Sequence, residues 1–152
     1  MGLAGIEVYD LLRDDYDIQI EFGDLGNILA ILSVGDTEAN LERLIAALYD
    51  IYRTKKASPQ GLLSNEYIEP TVVMSPKKAF FAPTISVPIE ASEGYICSEF
   101  VMCYPPGIPI LAPGELVTKD QLDYISYAKE KGSSMSGTED ITLQNLNVIA
   151  KK

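Results

Sequence analysis

The stretch Ile96-Cys97-Ser98-Glu99-Phe100-Val101-Met102, which runs into Tyr104-Pro105-Pro106-Gly107-Ile108-Pro109, decides how this chain is read. Ile, Val and Phe favour extended backbone, so a strand is predicted over Tyr95–Met102. Three of the six residues from Tyr104 to Pro109 are prolines and lack an N–H, so no regular ladder is expected there. A strand feeding a proline turn fixes backbone geometry, which suits either a rigid corner or one wall of a ligand pocket. Glu99 is the only charged residue in the strand. Two readings of it stay open: a partly desolvated carboxylate that pairs with a cationic group, or a residue on a solvated strand face.

Downstream, Thr118 with Gln121 three residues later forms a capping box. The helix it opens carries Leu122, Ile125 and Ala128 on one face and stops at Gly132. Leu146, Val148 and Ile149 predict a last short strand. Upstream, Thr84–Ile89 reads as a strand that Pro88 confines to an edge or makes irregular. Ser75-Pro76 marks a short helix, with Ser as cap and Pro at its first position.

Further toward the N-terminus, Ile6, Tyr9, Leu12 and Tyr16 recur at helical spacing. Ile18, Ile20 and Phe22 alternate with Gln19 and Glu21, the period of a half-buried strand. Gly23–Asn27 is turn chemistry. Ile28–Val34 is apolar on both faces and reads as a central, fully buried strand. Asp36 or Thr37 caps the next helix, and Glu38 complements its dipole. Leu41, Leu44, Ile45, Leu48 and Ile51 make one apolar stripe, and Arg53, Lys55 and Lys56 sit at its C-terminal end. Ala57–Asn65 has linker composition. The expected organisation is a small αβ unit over 1–57, a linker over 58–72 and a second unit over 73–152. The fold class is α+β.

The 152 residues hold 22 Asp+Glu against 12 Lys+Arg, a formal charge of −10, with 47% hydrophobic residues. That composition supports a packed core. The acidic balance argues against nucleic acid as a partner, because phosphate binding needs Lys and Arg in excess. With no His, a His-dependent triad, a His-ligated zinc site and a His general base are all excluded within the chain. The longest apolar run is far short of the ~20 residues of a membrane span. The first ten residues lack a signal-peptide core, and Ile6 breaks the myristoylation pattern. A soluble, cytoplasmic protein is expected. Cys97 and Cys103 match no redox or zinc spacing, and with no basic cluster nearby inert thiols are expected. Capping accounts for Asp36 and Glu38, packing for Tyr49 and Tyr52, and solvated turns for Asp14-Asp15 and Glu139-Asp140. No metal site and no phosphate loop is read.

From Ser98 to Glu115, through Tyr104-Pro105-Pro106-Gly107-Ile108-Pro109 and Pro113-Gly114-Glu115, the sequence resembles the C-terminal region of the bacterial ornithine/lysine/arginine decarboxylases. These are pyridoxal-phosphate enzymes of fold type I. Gly5–Leu12 with Ile18–Glu21 resembles the small domain that closes their catalytic domain, and Met74-Ser75-Pro76 through Phe80-Phe81-Ala82 resembles the start of their C-terminal domain. The nearest resemblance is to the shorter Gram-positive-type arginine decarboxylases.

The resemblance implies decarboxylation of a basic amino acid to a polyamine precursor, with arginine first and then lysine or ornithine. It implies a homo-oligomeric intact enzyme in which pyridoxal phosphate is the electron sink. The lysine, His and Asp that hold the cofactor in the family belong to a large N-terminal domain that this chain does not contain. The implied assignment is therefore a C-terminal fragment, inactive alone and without bound cofactor. Within it, Glu99 would contact the distal cation of the substrate, and Tyr104, Pro105, Pro106 and Gly107 would shape the wall of the entrance. The alternative is a free-standing binding or assembly module without catalysis.

Overall fold

The structure is a computed structural model and describes residues 2–55 and 68–150. Two compact units divide at Ser64/Asn65. The expected Ala57–Asn65 linker lies outside the described residues. Thr71 and Val72, at the end of the expected 58–72 segment, already pair with the second unit: Leu116 N–H donates to Thr71 O and Val72 bridges Glu115.

In the first unit, α1 spans Gly5–Tyr16. Glu7 reaches back to accept from the Ala4 N–H at 2.7 Å, and Asp17 leaves the helix in the left-handed region at φ 53. The start of α1 lies directly on the turn of a small antiparallel hairpin. β1 (Phe22–Gly23) pairs with β2 (Ile28–Leu29), and Ile6 N–H donates to Asp24 O at 2.8 Å. A Cβ on Gly23 would collide with the Gly5 carbonyl, so this close approach requires glycine.

Helix α2, Glu38–Thr54, is capped by Thr37, whose side chain accepts from Asn40 N–H. Val8 and Leu12 of α1, Ile20, and Ala47 and Ile51 of α2 form the core of the unit. Three expectations are corrected here. The predicted strand over Ile18–Phe22 keeps ladder pairing only at Phe22 and beyond. The central strand over Ile28–Val34 ends at Leu29, and beyond the half-buried Ala30 its large apolar side chains Ile31, Leu32 and Val34 are exposed. Ile45 faces solvent, so the buried stripe of α2 is narrower than its periodicity suggests.

In the second unit, α3 (Pro76–Phe80) starts with proline at its first turn, although Ser75 makes no side-chain cap bond. β3 (Thr84–Pro88) pairs antiparallel with β7 (Asn145–Ile149) from Thr84↔Ile149 to Pro88↔Asn145. The other side of β7 joins the 96–98 segment, because Ile149 N–H donates to Ile96 O and Ser98 N–H donates to Asn147 O. That leaves β3 at an edge, where its terminal proline is tolerated.

A separate three-stranded sheet runs β5-β4-β6, from Ile108–Leu111, Val101–Tyr104 and Ser134–Ser136. α4 (Lys119–Glu130) carries the Thr118/Gln121 capping box, and Gly132 follows its end at φ 89. Cys97, Val101, Leu111, Val117, Ile125, Leu143, Leu146 and Val148 build one core.

The predicted strand over Tyr95–Met102 is broken. Ile96 and Cys97 make isolated bridges, Glu99 sits in a bend, and regular pairing resumes at Val101. The proline turn is also more ordered than expected. It closes a hairpin in which Cys103 faces Ile108 and Met102 faces Pro109 across a bulge. Because β5 is an edge strand, the missing Pro109 N–H leaves no central ladder broken.

Candidate functional site

Glu99 reaches its position because the backbone bends between Cys97 and Val101, both fully buried. The thiol of Cys97 donates to the Glu99 carbonyl at 3.0 Å, which fixes the bend from inside. The half-buried carboxylate then engages a distant part of the chain. Oε1 accepts from Asn147 N–H at 2.9 Å, and Oε2 accepts from Glu139 N–H at 2.9 Å and from Asn147 Nδ2 at 3.4 Å. Asn147 Nδ2 also donates to Glu139 Oε2 at 2.7 Å. The neighbouring Ser98 donates both its N–H and its hydroxyl to Asn147 O, at 3.1 and 2.8 Å.

Two carboxylates thus share one amide. Among the described residues, neither Glu99 nor Glu139 has a Lys or Arg at ion-pair distance; the ion pairs found lie in the first unit. Asp140 beside them is a turn organiser. Its carboxylate accepts from Thr142 N–H and Oγ1 and from the N–H groups of Gln144 and Asn145. These bonds, led by the Thr142 hydroxyl, hold it well below the usual carboxylate range.

At the other end of β4, Tyr104 and Pro106 are exposed and Pro105 and Gly107 half-buried. Gly107 takes φ 92, and its N–H donates to Cys103 O at 2.8 Å to close the loop. Ser134 Oγ donates to Tyr104 O at 3.3 Å and ties the tip to β6.

The five sequence-predicted residues therefore occupy two places rather than one. Glu99 lies in the bend before β4, and the Tyr104 tip follows at the far end of that strand. Glu139 was assigned only to a solvated turn, and Asn147 escaped the sequence reading. The signal for Asn147 was a polar residue placed between the buried Leu146 and Val148.

Cys97 and Cys103 are buried and not joined in a disulfide, and burial pushes the Cys97 thiol up to about 12. Among the described residues, no helix is long and apolar enough to cross a membrane.

Residues 61–144 match the family model for the C-terminal domain of the Orn/Lys/Arg decarboxylases. The chain is 42% identical over 98% of its length to an arginine decarboxylase of Bacillus anthracis and spans 31% of that relative. It is 37% identical to an arginine decarboxylase of Bacillus subtilis, of which it spans 32%. Among solved structures it resembles lysine decarboxylases of Francisella novicida and Pseudomonas aeruginosa. Their TM-scores are 0.64 and 0.65 at 20% and 19% identity, covering 95% and 97% of this chain and 28% and 27% of those chains. The architecture is thus the mixed helix-and-strand fold of the C-terminal region of these lyases. The chain belongs to the Orn/Lys/Arg decarboxylase family, and it spans about a third of the length of the relatives it matches.

A pyridoxal-phosphate site does not fit the described residues. Lys55, Lys77, Lys78, Lys119 and Lys129 are exposed, whereas a lysine that holds the cofactor needs a sheltered pocket. The half-buried Lys131 lies over the Tyr127 ring at 5.9 Å. Lys55 pairs with Asp15, and Lys129 donates to Thr142 O.

Proposed function

We propose that this chain is the C-terminal part of a pyridoxal-phosphate-dependent decarboxylase of a basic amino acid, arginine first and then lysine or ornithine. It supplies domain closure, packing and part of the substrate entrance, and it is inactive by itself. The observation that carries the reading is the 42% identity across nearly the whole chain to an arginine decarboxylase more than three times as long. In this reading residues 1–57 are the small αββα-type subdomain of a fold-type-I enzyme, 58–72 a linker and 73–152 the C-terminal decarboxylase domain. The intact enzyme works in the cytoplasm as a homo-oligomer and makes a polyamine precursor.

Within the fragment, Glu99 is the contact for the distal cation of the substrate. Tyr104, Pro105, Pro106 and Gly107 form the wall further out. The support for Glu99 is its half-buried charge without a cationic partner among the described residues, with Glu139 sharing its Asn147. A guanidinium or ammonium would bring the missing opposite charge.

In the intact enzyme, Glu99→Gln keeps the size and one acceptor oxygen but removes the charge. The expected result is a KM for the basic substrate raised about tenfold with kcat and cofactor absorbance little changed. An unchanged KM removes Glu99 from the site. If the upstream region and this chain, joined in one polypeptide, show no decarboxylation of arginine, lysine or ornithine, the larger reading fails.

A further inference from the structure

The first unit carries an apolar segment whose burial is not completed among the described residues. Ile31, Leu32 and Val34 are 65%, 62% and 110% exposed. The β1–β2 ladder stops just before them. Leu29 O takes the Glu21 N–H at 3.0 Å, one residue out of register with the Phe22↔Leu29 pair, and the two arms then part. Between the arms runs a groove of about 450 Å³, floored by Ile18, Ile20, Leu41 and Leu44 and bordered by Ala30–Leu32. The N–H groups of Ile31 and Leu32 make no hydrogen bond among the described residues.

The rim is acidic, with Asp17, Glu21 and Asp36. Arg43 is the only cation lining the groove among the described residues; it donates to the Tyr16 and Asp17 carbonyls and pairs with the Asp17 carboxylate at 3.7 Å, which leaves Glu21 and Asp36 as the rim acids without a cation.

An apolar floor beside backbone N–H groups without partners is a receiving geometry for an added strand. The acidic rim selects basic flanks on whatever enters. A second copy of this chain is a poor occupant, since it brings the same rim and another net charge of −10. The matched relatives supply a better one. They match this chain almost end to end, yet 69% of the Bacillus anthracis relative (100 − 31) lies outside the match.

We propose that the groove receives an extended apolar segment flanked by Lys or Arg, contributed by the part of the intact enzyme that this chain does not span. That segment pairs its backbone with Ala30–Leu32 and covers Ile31 and Leu32. The inference rests on reading the chain as part of a larger decarboxylase.

The test mixes the isotope-labelled 152-residue chain with the separately produced upstream two-thirds of the Bacillus anthracis relative. Three quantities are read: association, amide hydrogen exchange at residues 30–34, and arginine decarboxylation. Exchange at Ile31 and Leu32 is expected to slow about tenfold or more on association. Ile31→Asp with Leu32→Asp alters only exposed side chains, so the chain still folds, but its association weakens about tenfold or more. Ile141→Asp, on an 82% exposed residue of the second unit, leaves association unchanged. If the wild-type chain associates and restores decarboxylation while Ile31 and Leu32 still exchange freely, or while the double variant associates equally well, the groove assignment falls and the larger reading stands. If the two regions joined in one polypeptide decarboxylate arginine while Ile31 and Leu32 still exchange freely there, the groove assignment also falls; if the joined protein shows no decarboxylation of arginine, lysine or ornithine, both fall together.

Discussion

The second unit gathers its large aliphatic side chains into one closed core, while the first leaves a comparable apolar run in the open. Leu111, Leu143, Leu146, Val101, Val117 and Val148 are all at most 1% exposed. In the first unit Leu12 and Ile51 are fully buried, yet Ile31, Leu32 and Val34 in the neighbouring arm face outward. Both sets of side chains are aliphatic. What separates them is whether the described chain also provides a covering surface, since burial needs two faces.

The sharpest way to break this contrast is to open the closed core. Leu111→Ala removes a fully buried side chain and should cost about 3 kcal/mol in the urea unfolding of the second unit. A cost below about 1 kcal/mol would mean that this core is loose.

A smaller effect should come from the turn that carries β7 into place. The Asp140 carboxyl titrates well below its unfolded value of about 3.9. A lowered folded value stabilises the native state above the unfolded value, and that contribution is lost as pH falls through and below about 4. Urea midpoints of the wild type and Asp140→Asn should therefore differ most above pH 5 and converge as the solution is acidified. Parallel curves would show that the charge of Asp140 does not matter.

The smallest effect should be that of Val34→Ser in the isolated chain. It touches a fully exposed residue, so a change within about 0.5 kcal/mol is expected. A large loss would show that the segment is buried in solution and would erase the difference between the two units.

Local signals carried the helices. Thr37 before α2 and the Thr118/Gln121 box before α4 lie within a few residues of the amides they satisfy, so their role is legible without tertiary context. Proline chemistry was harder to read, because a missing N–H breaks a ladder only on a paired side, and the sequence does not reveal that β5 is an edge. Residues 28–34 were read as buried because apolar composition records what a segment requires, not whether this chain supplies it. At the candidate site, a lone carboxylate in an apolar strand and the proline turn after it singled out Glu99 and the Tyr104–Gly107 tip, and the resemblance gave them roles. It could not show that the carboxylate binds amides 40 and 48 residues away, since no pattern links Glu99 to Glu139 and Asn147. A strand bent at Glu99 also looks like a straight one when only hydrophobicity is followed.

The buried Cys97 has a practical consequence for anyone who labels this protein. With its thiol pushed up to about 12 by burial, Cys97 stays protonated at neutral pH and is a poor nucleophile. Cys103 is sheltered in the same unit. A cysteine introduced at Val34 would therefore outcompete both native thiols for a maleimide dye. A single fluorophore could be set beside the open groove on an otherwise unaltered background, ready to report by its colour when that groove fills.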